Sequence, residues 1–447
     1  MPRLHTLASS LVLAFASLSA HAATNTLVGW AELPAATFSD GPTSGQFAFS
    51  NANSPANNPP YVNLQPVQGF SGVLNGANGS YRMLVDNGFG SKGNSPDALL
   101  RMYAVNVDWN AHTVSAADFN TGASLPGFNA ASRITLNDAN NKLGFGIVAD
   151  GATYPSSVIP VDAGIQSGRL LTGGDLDIES VRQDKNGNYW FGEEFGPFLV
   201  KTDATGTVQS VFRTPNVKNF DANPWVQSPS NPIPTGANNL PGSGGFEGMA
   251  LNASGTMLYT LLERPLTSDP DQKRLLIQEF DLASETFTGG WFGYKLDAAG
   301  TNIGDMTAID DTRFLVIERN GGTATNGTPF KKIFLIDSSI KDADGFAQKT
   351  ELVDLMNIAD PDDLNGDGST TFSFPYVTIE DVLVLDSKTL LVVNDNNFPG
   401  GGGRDVFSDD TEFLKISLAA PIPEPETYAL MLAGLGLVGF MAKRRNA

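Results

Sequence analysis

Acidic side chains recur at matched places in this sequence, and they are the residues best suited to chemistry. One set is Glu179, Glu247, Asp305 and Glu380, each followed by small and apolar residues. A second set, Glu194, Glu263, Glu318, Asp395 and Asp86, closes runs of mostly apolar residues. If the two sets converge, their carboxylates raise one another's pKa and cannot all stay ionised without a counter-charge. A divalent cation is one such counter-charge, and oxygen-only ligation selects calcium or magnesium. On that reading Glu179, Glu247, Asp305, Glu380 and Asp395 are candidate calcium ligands. Glu194, Glu263 and Glu318 are the candidate catalytic carboxylates, one of them free as a general base. The competing reading is structural: the same acids accept backbone amides and lock neighbouring strands together.

Three arginines stand beside these acids. Arg264 and Arg319 each follow one directly, and Arg404 follows the glycine run 400–403. Guanidinium groups near a carboxylate centre bind a phosphate or carboxylate substrate, or pair with the adjoining acids; the sequence leaves both open. A separate calcium candidate is Asp363, Asn365 and Asp367, at alternate positions with Gly366 and Gly368 between and after them. This is the first half of an EF-hand loop, but Phe374 stands where the closing bidentate Glu belongs, which leaves an Asx-rich turn as the alternative.

Composition narrows the chemistry further. There is no cysteine, so disulfides and thiolate metal sites are excluded. Of three histidines, His5 and His21 fall in the N-terminal leader, leaving His112 in a turn-like segment. Zinc sites built on several histidines are therefore excluded, and no G-x-S-x-G elbow is present to partner His112 in a hydrolytic triad. The net charge of −20 disfavours nucleic acid and anionic membranes as partners.

Positioning so many acids requires repeated elements. The two acidic positions lie 15, 16, 13 and 15 residues apart in four copies, and 15 in a weaker copy that has Ser71 in place of the first acid. That span suits two antiparallel strands joined by a turn, and Lys185–Asn188, Asn252–Gly255 and Asp310–Asp311 supply turn residues. Further strand-like runs follow at Phe198–Lys201, Val208–Phe212, Leu275–Phe280 and Lys332–Ile336. Four short strands per repeat describe an all-β fold, a β-propeller with five recognisable four-stranded blades and five or six in total. The last copy has one obvious following strand, Glu412–Ile416, so Leu27–Ala31 is expected to close the ring as its outer strand. Residues 120–172 fit no copy and read as a degenerate sixth blade or an elaborated loop.

The ends carry addresses. Arg3, the apolar run Leu7–Leu18 and Ala20-His21-Ala22 read as a signal peptide over residues 1–22. This leaves a domain of residues 23–420 and a tail of 421–447. In the tail, Pro423-Glu424-Pro425-Glu426 precedes an apolar stretch, Tyr428–Met441, and Lys443-Arg444-Arg445, which reads as a short transmembrane segment with a basic stop. The tail resembles the PEP-CTERM sorting signal. That resemblance implies exosortase-type sorting machinery as a partner, a location outside the cytoplasmic membrane, and membrane contact through this segment alone.

The domain itself resembles the family described as esterase-like activity of phytase. The resemblance rests on Asp175–Val181, Trp190–Leu199, Gly245–Met249, Thr378–Val382, Asp395–Pro399 and Asp409–Phe413. It implies a phytase-like propeller and hydrolysis of a phosphoester or another ester. Two other functions compete with it: a non-catalytic calcium-stabilised propeller that binds exopolysaccharide or a surface partner, and a lactonase-like propeller with one axial calcium.

Overall fold

The computed structural model describes residues 24–49, 58–218, 220–405 and 407–422. The signal peptide expected at 1–22 lies outside them, as does nearly all of the tail. Among the described residues no helix is long and apolar enough to cross a membrane. The transmembrane segment expected at Tyr428–Met441 lies wholly outside the described residues.

Each copy of the repeat begins with a strand whose first four residues are all buried, which only a strand covered on both faces can show. These strands are Phe70–Asn75, Ile178–Gln183, Phe246–Leu251, Asn302–Ala308 and Ile379–Asp386. Each turns back into an antiparallel partner: Tyr81–Val85, Tyr189–Glu193, Met257–Leu262, Arg313–Arg319 and Thr389–Asn394. A third and a fourth antiparallel strand follow in four copies: Arg101–Asp108 and Thr113–Ala116, Phe198–Thr202 and Val208–Arg213, Arg274–Asp281 and Thr286–Lys295, Lys331–Lys341 and Ala347–Asp354; the last three are separate four-stranded sheets, while the first continues through Glu32↔Thr113 into the strand Thr26–Leu33. Outer strands alternate or lose burial, as in Thr113–Ala116, because one of their faces meets solvent.

The fifth sheet takes its third strand from Thr411–Ser417, and Thr26–Leu33 pairs antiparallel with it from Thr26↔Ser417 to Leu33↔Thr411. The first strands neighbour one another in a cycle, from 70–75 through 178–183, 246–251, 302–308 and 379–386 and back to 70–75. The fold is thus all-β and propeller-like.

The core lies between sheets rather than within one. Leu84 and Met102 meet Val181 and Phe191; Trp190 and Leu199 meet Met249 and Phe280; Tyr259 and Phe292 meet Phe314. Ile317 and Ile333 meet Val382 and Leu414, and Val393 and Phe413 return to Met83 and Tyr103. Burying each such side chain is worth roughly 1.5–3 kcal/mol, so every sheet depends on both neighbours. Residues 120–172 form no four-stranded sheet. They hold short turns, the strand Arg133–Thr135 and the helix Ala163–Gly168, and they cover the first two sheets through Leu143, Tyr154 and Ile165. They are an elaborated loop because their apolar residues are spent capping an existing core.

Candidate functional site

The register of the hairpins decides which residues converge. Ile178 pairs with Glu193, Phe246 with Leu262, Phe70 with Val85, Ile379 with Asn394 and Ile303 with Glu318. The residue after each of these pairs on the first strand is Glu179, Glu247, Ser71, Glu380 or Gly304. On the second strand it is Glu194, Glu263, Asp86, Asp395 or Arg319. Two rings of equivalent positions therefore face the centre of the cycle, and the fourth sheet departs from the expected pattern in both.

Asp305 and Glu318 are one position out of register with the other acids. In a strand a one-residue offset turns the side chain to the other face. Asp305 accepts the amides of Met306 at 2.7 Å and Val382 at 3.1 Å, and Arg182 Nη2 at 3.0 Å. Glu318 accepts the Tyr294 hydroxyl at 2.6 Å and the Asp297 amide at 2.7 Å, and is also bound by Lys349. Both acids are tied to the framework rather than gathered with the others. At the position of the missing first-ring acid, a Cβ on Gly304 would lie 1.8 Å from the Ile379 carbonyl oxygen, so no side chain fits there.

Arg319 takes the place of an acid in the second ring. Its Nη2 meets Glu247 Oε1 at 2.7 Å, Glu380 Oε1 at 3.0 Å and Glu263 Oε1 at 3.3 Å, all buried. Asn302 Nδ2 and Ser71 Oγ complete this web on Glu263 at 2.7 Å and on Glu380 at 2.8 Å. Burial pushes Glu380 up to about 7, and Arg319 limits the rise. Arg319 is thus engaged by three carboxylates.

The other side has no such cation. Asp177, Glu179 and Glu194 bring one carboxylate oxygen each within 4.8 Å of the others. Asp177 shares a face with Glu179 because alternate residues of an extended chain point the same way. Among the described residues no basic side chain forms an ion pair with any of the three. Burial raises all three pKa values; neighbouring carboxylates add to the rise at Glu179 and Glu194, whereas hydrogen bonds to Glu179 and Asn87 limit it at Asp177. Asn87 Nδ2 holds Asp177 Oδ1 at 2.6 Å, whereas Glu194 Oε1 is buried without a hydrogen-bond partner. Asp86 and Asp395 adjoin this cluster; burial pushes both up, Asp395 to about 6.

Calcium fits this set. Oxygens about 2.4 Å from one ion lie at most about 4.8 Å apart, and the buried orphan oxygen of Glu194 lacks a partner that a cation would supply. A cavity of about 480 Å³ opens beside the cluster, with Asp86 and Asp395 among its lining residues.

The remaining expected residues lie elsewhere. Arg264 is half exposed, with Nε 3.4 Å from Glu263 Oε2. Arg404 binds Glu412 Oε1 at 2.5 Å and Oε2 at 3.1 Å, and the Ser373 carbonyl, within the fifth sheet. Asp363 accepts the Gly368 amide and Asp367 the Ser369 amide in an exposed loop closed by its own hydrogen bonds. Asp177 was not among the expected ligands, although its spacing of two from Glu179 was a usable signal.

Comparison with known proteins agrees with the repeat's sequence motifs. The model of the phytase-like family, esterase-like activity of phytase, matches residues 65–398. The PEP-CTERM protein-sorting motif matches residues 421–445. An uncharacterized secreted protein of Arthroderma benhamiae is 25% identical over 154 residues, which are 30% of this chain and 28% of that protein. Among solved structures, a luciferin-regenerating enzyme aligns at a TM-score of 0.37 and 9% identity, covering 88% of this chain and 94% of its own. The Dos1 propeller aligns at 0.29 and 9%, covering 79% and 71%. At these scores neither likeness bears on the chemistry of the site.

Proposed function

Because the chain belongs to the phytase-like family, esterase-like activity of phytase, and carries a sorting motif that directs it outside the cytoplasm, we propose that it is an extracytoplasmic calcium-dependent hydrolase of a phosphoester or another ester. The observation that carries this reading is the partnerless buried oxygen of Glu194, facing Asp177 and Glu179 on the uncompensated side of the rings. These three acids would hold the ion. A bound calcium supplies Lewis-acid polarisation and a more acidic water. Asp395, lining the cavity beside the cluster with its carboxyl raised to about 6, would take a proton from a bound nucleophile. Exosortase-type machinery processes the tail, and five blades closed by Thr26–Leu33 form the supporting ring.

A second reading is favoured by the burial of all three acids, each less than a tenth exposed. A site closed by protein ligands stabilises without turning over, as in a propeller that binds exopolysaccharide or a surface partner. One experiment separates the two. Calcium is titrated into EDTA-treated protein by calorimetry, and hydrolysis of a chromogenic phosphomonoester, a carboxylic ester and phytate is followed. The hydrolase reading expects calcium-dependent turnover that Glu194→Gln abolishes while the fold is retained. Calcium binding and a higher melting temperature with no turnover favour the structural site; no calcium binding sinks both.

A further inference from the structure

The cavity beside the acid cluster combines two features that a calcium site does not use. Asp86 and Asp395 contribute its acids, and Phe49, Phe89, Phe398 and Phe407 its aromatic wall. No lysine or arginine is among its described lining residues. Phe89 and Phe398 are buried and held in place by Tyr61, whose ring centroid lies 6.2 Å and 5.5 Å from theirs. These two rings are fixed by packing, whereas Phe49 and Phe407 stand exposed at the rim.

Elementary electrostatics ranks the possible occupants. A phosphoryl or carboxylate group would meet like charge from Asp395, whose carboxyl burial raises only to about 6, and gains no counter-charge from Asp86, which burial pushes further up. Calcium needs six to eight oxygen ligands and gains nothing from phenyl rings. A neutral polyol can donate hydrogen bonds to the two carboxyl groups but brings no charge to offset that of Asp395. An organic cation gains from both the carboxylates and the electron-rich ring faces. We infer that this cavity binds a substituted-ammonium group, an alkylated amine or quaternary ammonium borne by a small molecule. Its volume of about 480 Å³ leaves room for more than the cation alone. If the hydrolase reading holds, on which this extension rests, the ester substrate carries that cation; binding itself does not require turnover.

Calorimetry of the purified protein in EGTA tests the inference with choline, its uncharged carbon isostere dimethylbutanol, glucose and inorganic phosphate. Choline is expected to bind, with the isostere at least about tenfold weaker and phosphate not detected. Asp395→Asn and Phe398→Leu should each weaken choline about tenfold, and added salt should weaken it as well. Choline binding is read in EGTA and without turnover, so failure of the calcium site leaves it standing; Asp367→Asn, in an exposed loop outside the cavity, should leave choline affinity within about twofold. Equal binding of the isostere or of glucose, no binding of choline, or choline binding indifferent to salt would each overturn the inference. If Asp395→Asn does not fold, the isostere comparison and the salt dependence decide it on the unaltered chain.

Discussion

On one side of the central rings, Glu247, Glu263 and Glu380 share the guanidinium of Arg319; on the other, Asp177, Glu179 and Glu194 face one another with no basic partner among the described residues. The two sides are built from the same repeated hairpin and, Asp177 apart, carry acids at equivalent positions. The difference arises in the fourth sheet, where Gly304 leaves the first-ring position empty and Arg319 replaces an acid in the second. A cation supplied by the chain fixes its carboxylates as framework. Carboxylates that the chain leaves uncompensated are the ones available to a ligand. Buried acids alone therefore do not identify a site; the place where compensation stops does.

Removing the internal cation should break this contrast most strongly. Arg319→Met strands Glu247, Glu263 and Glu380 together, and losing one partner of a buried ionic network costs about 3–5 kcal/mol. Urea denaturation near neutral pH should show that loss, and it should shrink on acidification as the stranded carboxyls take up protons. A variant as stable as the parent would mean that Arg319 does not compensate the three acids.

Much of this arrangement was legible in the sequence. Strands, turns and pairing order followed from apolar runs bounded by Asn, Asp and Gly, and the repeated acids do face one centre. The fourth copy was misread because Asp305 and Glu318 are themselves acidic, and they masked the true equivalents one residue away. Their spacing of 13 was the warning; Gly304 and Arg319 restore 15. The sequence leaves Arg319 open between substrate binding and pairing with adjoining acids, because it shows that an arginine follows an acid but not that three distant glutamates converge on it. The aromatic wall was out of reach for a similar reason: Phe49, Phe89, Phe398 and Phe407 come together only when the ring brings the first and last sheets side by side. In residues 120–172 the apolar residues follow no strand period, since they cap other sheets.

The uncompensated side should respond to pH in the opposite sense from an ordinary salt-bridged acid. Burial raises Glu194, Glu179 and Asp177, carries Asp395 to about 6 and Glu193 to about 8. A carboxyl raised in the folded state binds more protons folded than unfolded. Stability without metal should therefore climb as pH falls from about 8 to about 5, and level off near the unfolded carboxyl values. Glu194→Gln removes one repelling charge and should stabilise the metal-free protein by about 1–2 kcal/mol near pH 8, with little gain near pH 5. Calorimetric melting in EGTA across that range checks the sign; stability that rises with pH would show that these acids are already neutralised within the fold.

The smallest effect belongs to acids that water compensates. Asp363 and Asp367 lie in an exposed loop and accept the amides of Gly368 and Ser369. Asp367→Asn keeps an acceptor for the Ser369 amide and removes a solvated charge, so its melting temperature should match the parent's. It should also leave calcium affinity within about twofold, because solvent screens this loop while the buried trio has no such screen. Parallel calcium titrations of Asp367→Asn and Glu194→Gln make the comparison direct. If the loop variant loses the calcium signal and the buried variant keeps it, the ion belongs to the loop, and the uncompensated trio holds protons instead.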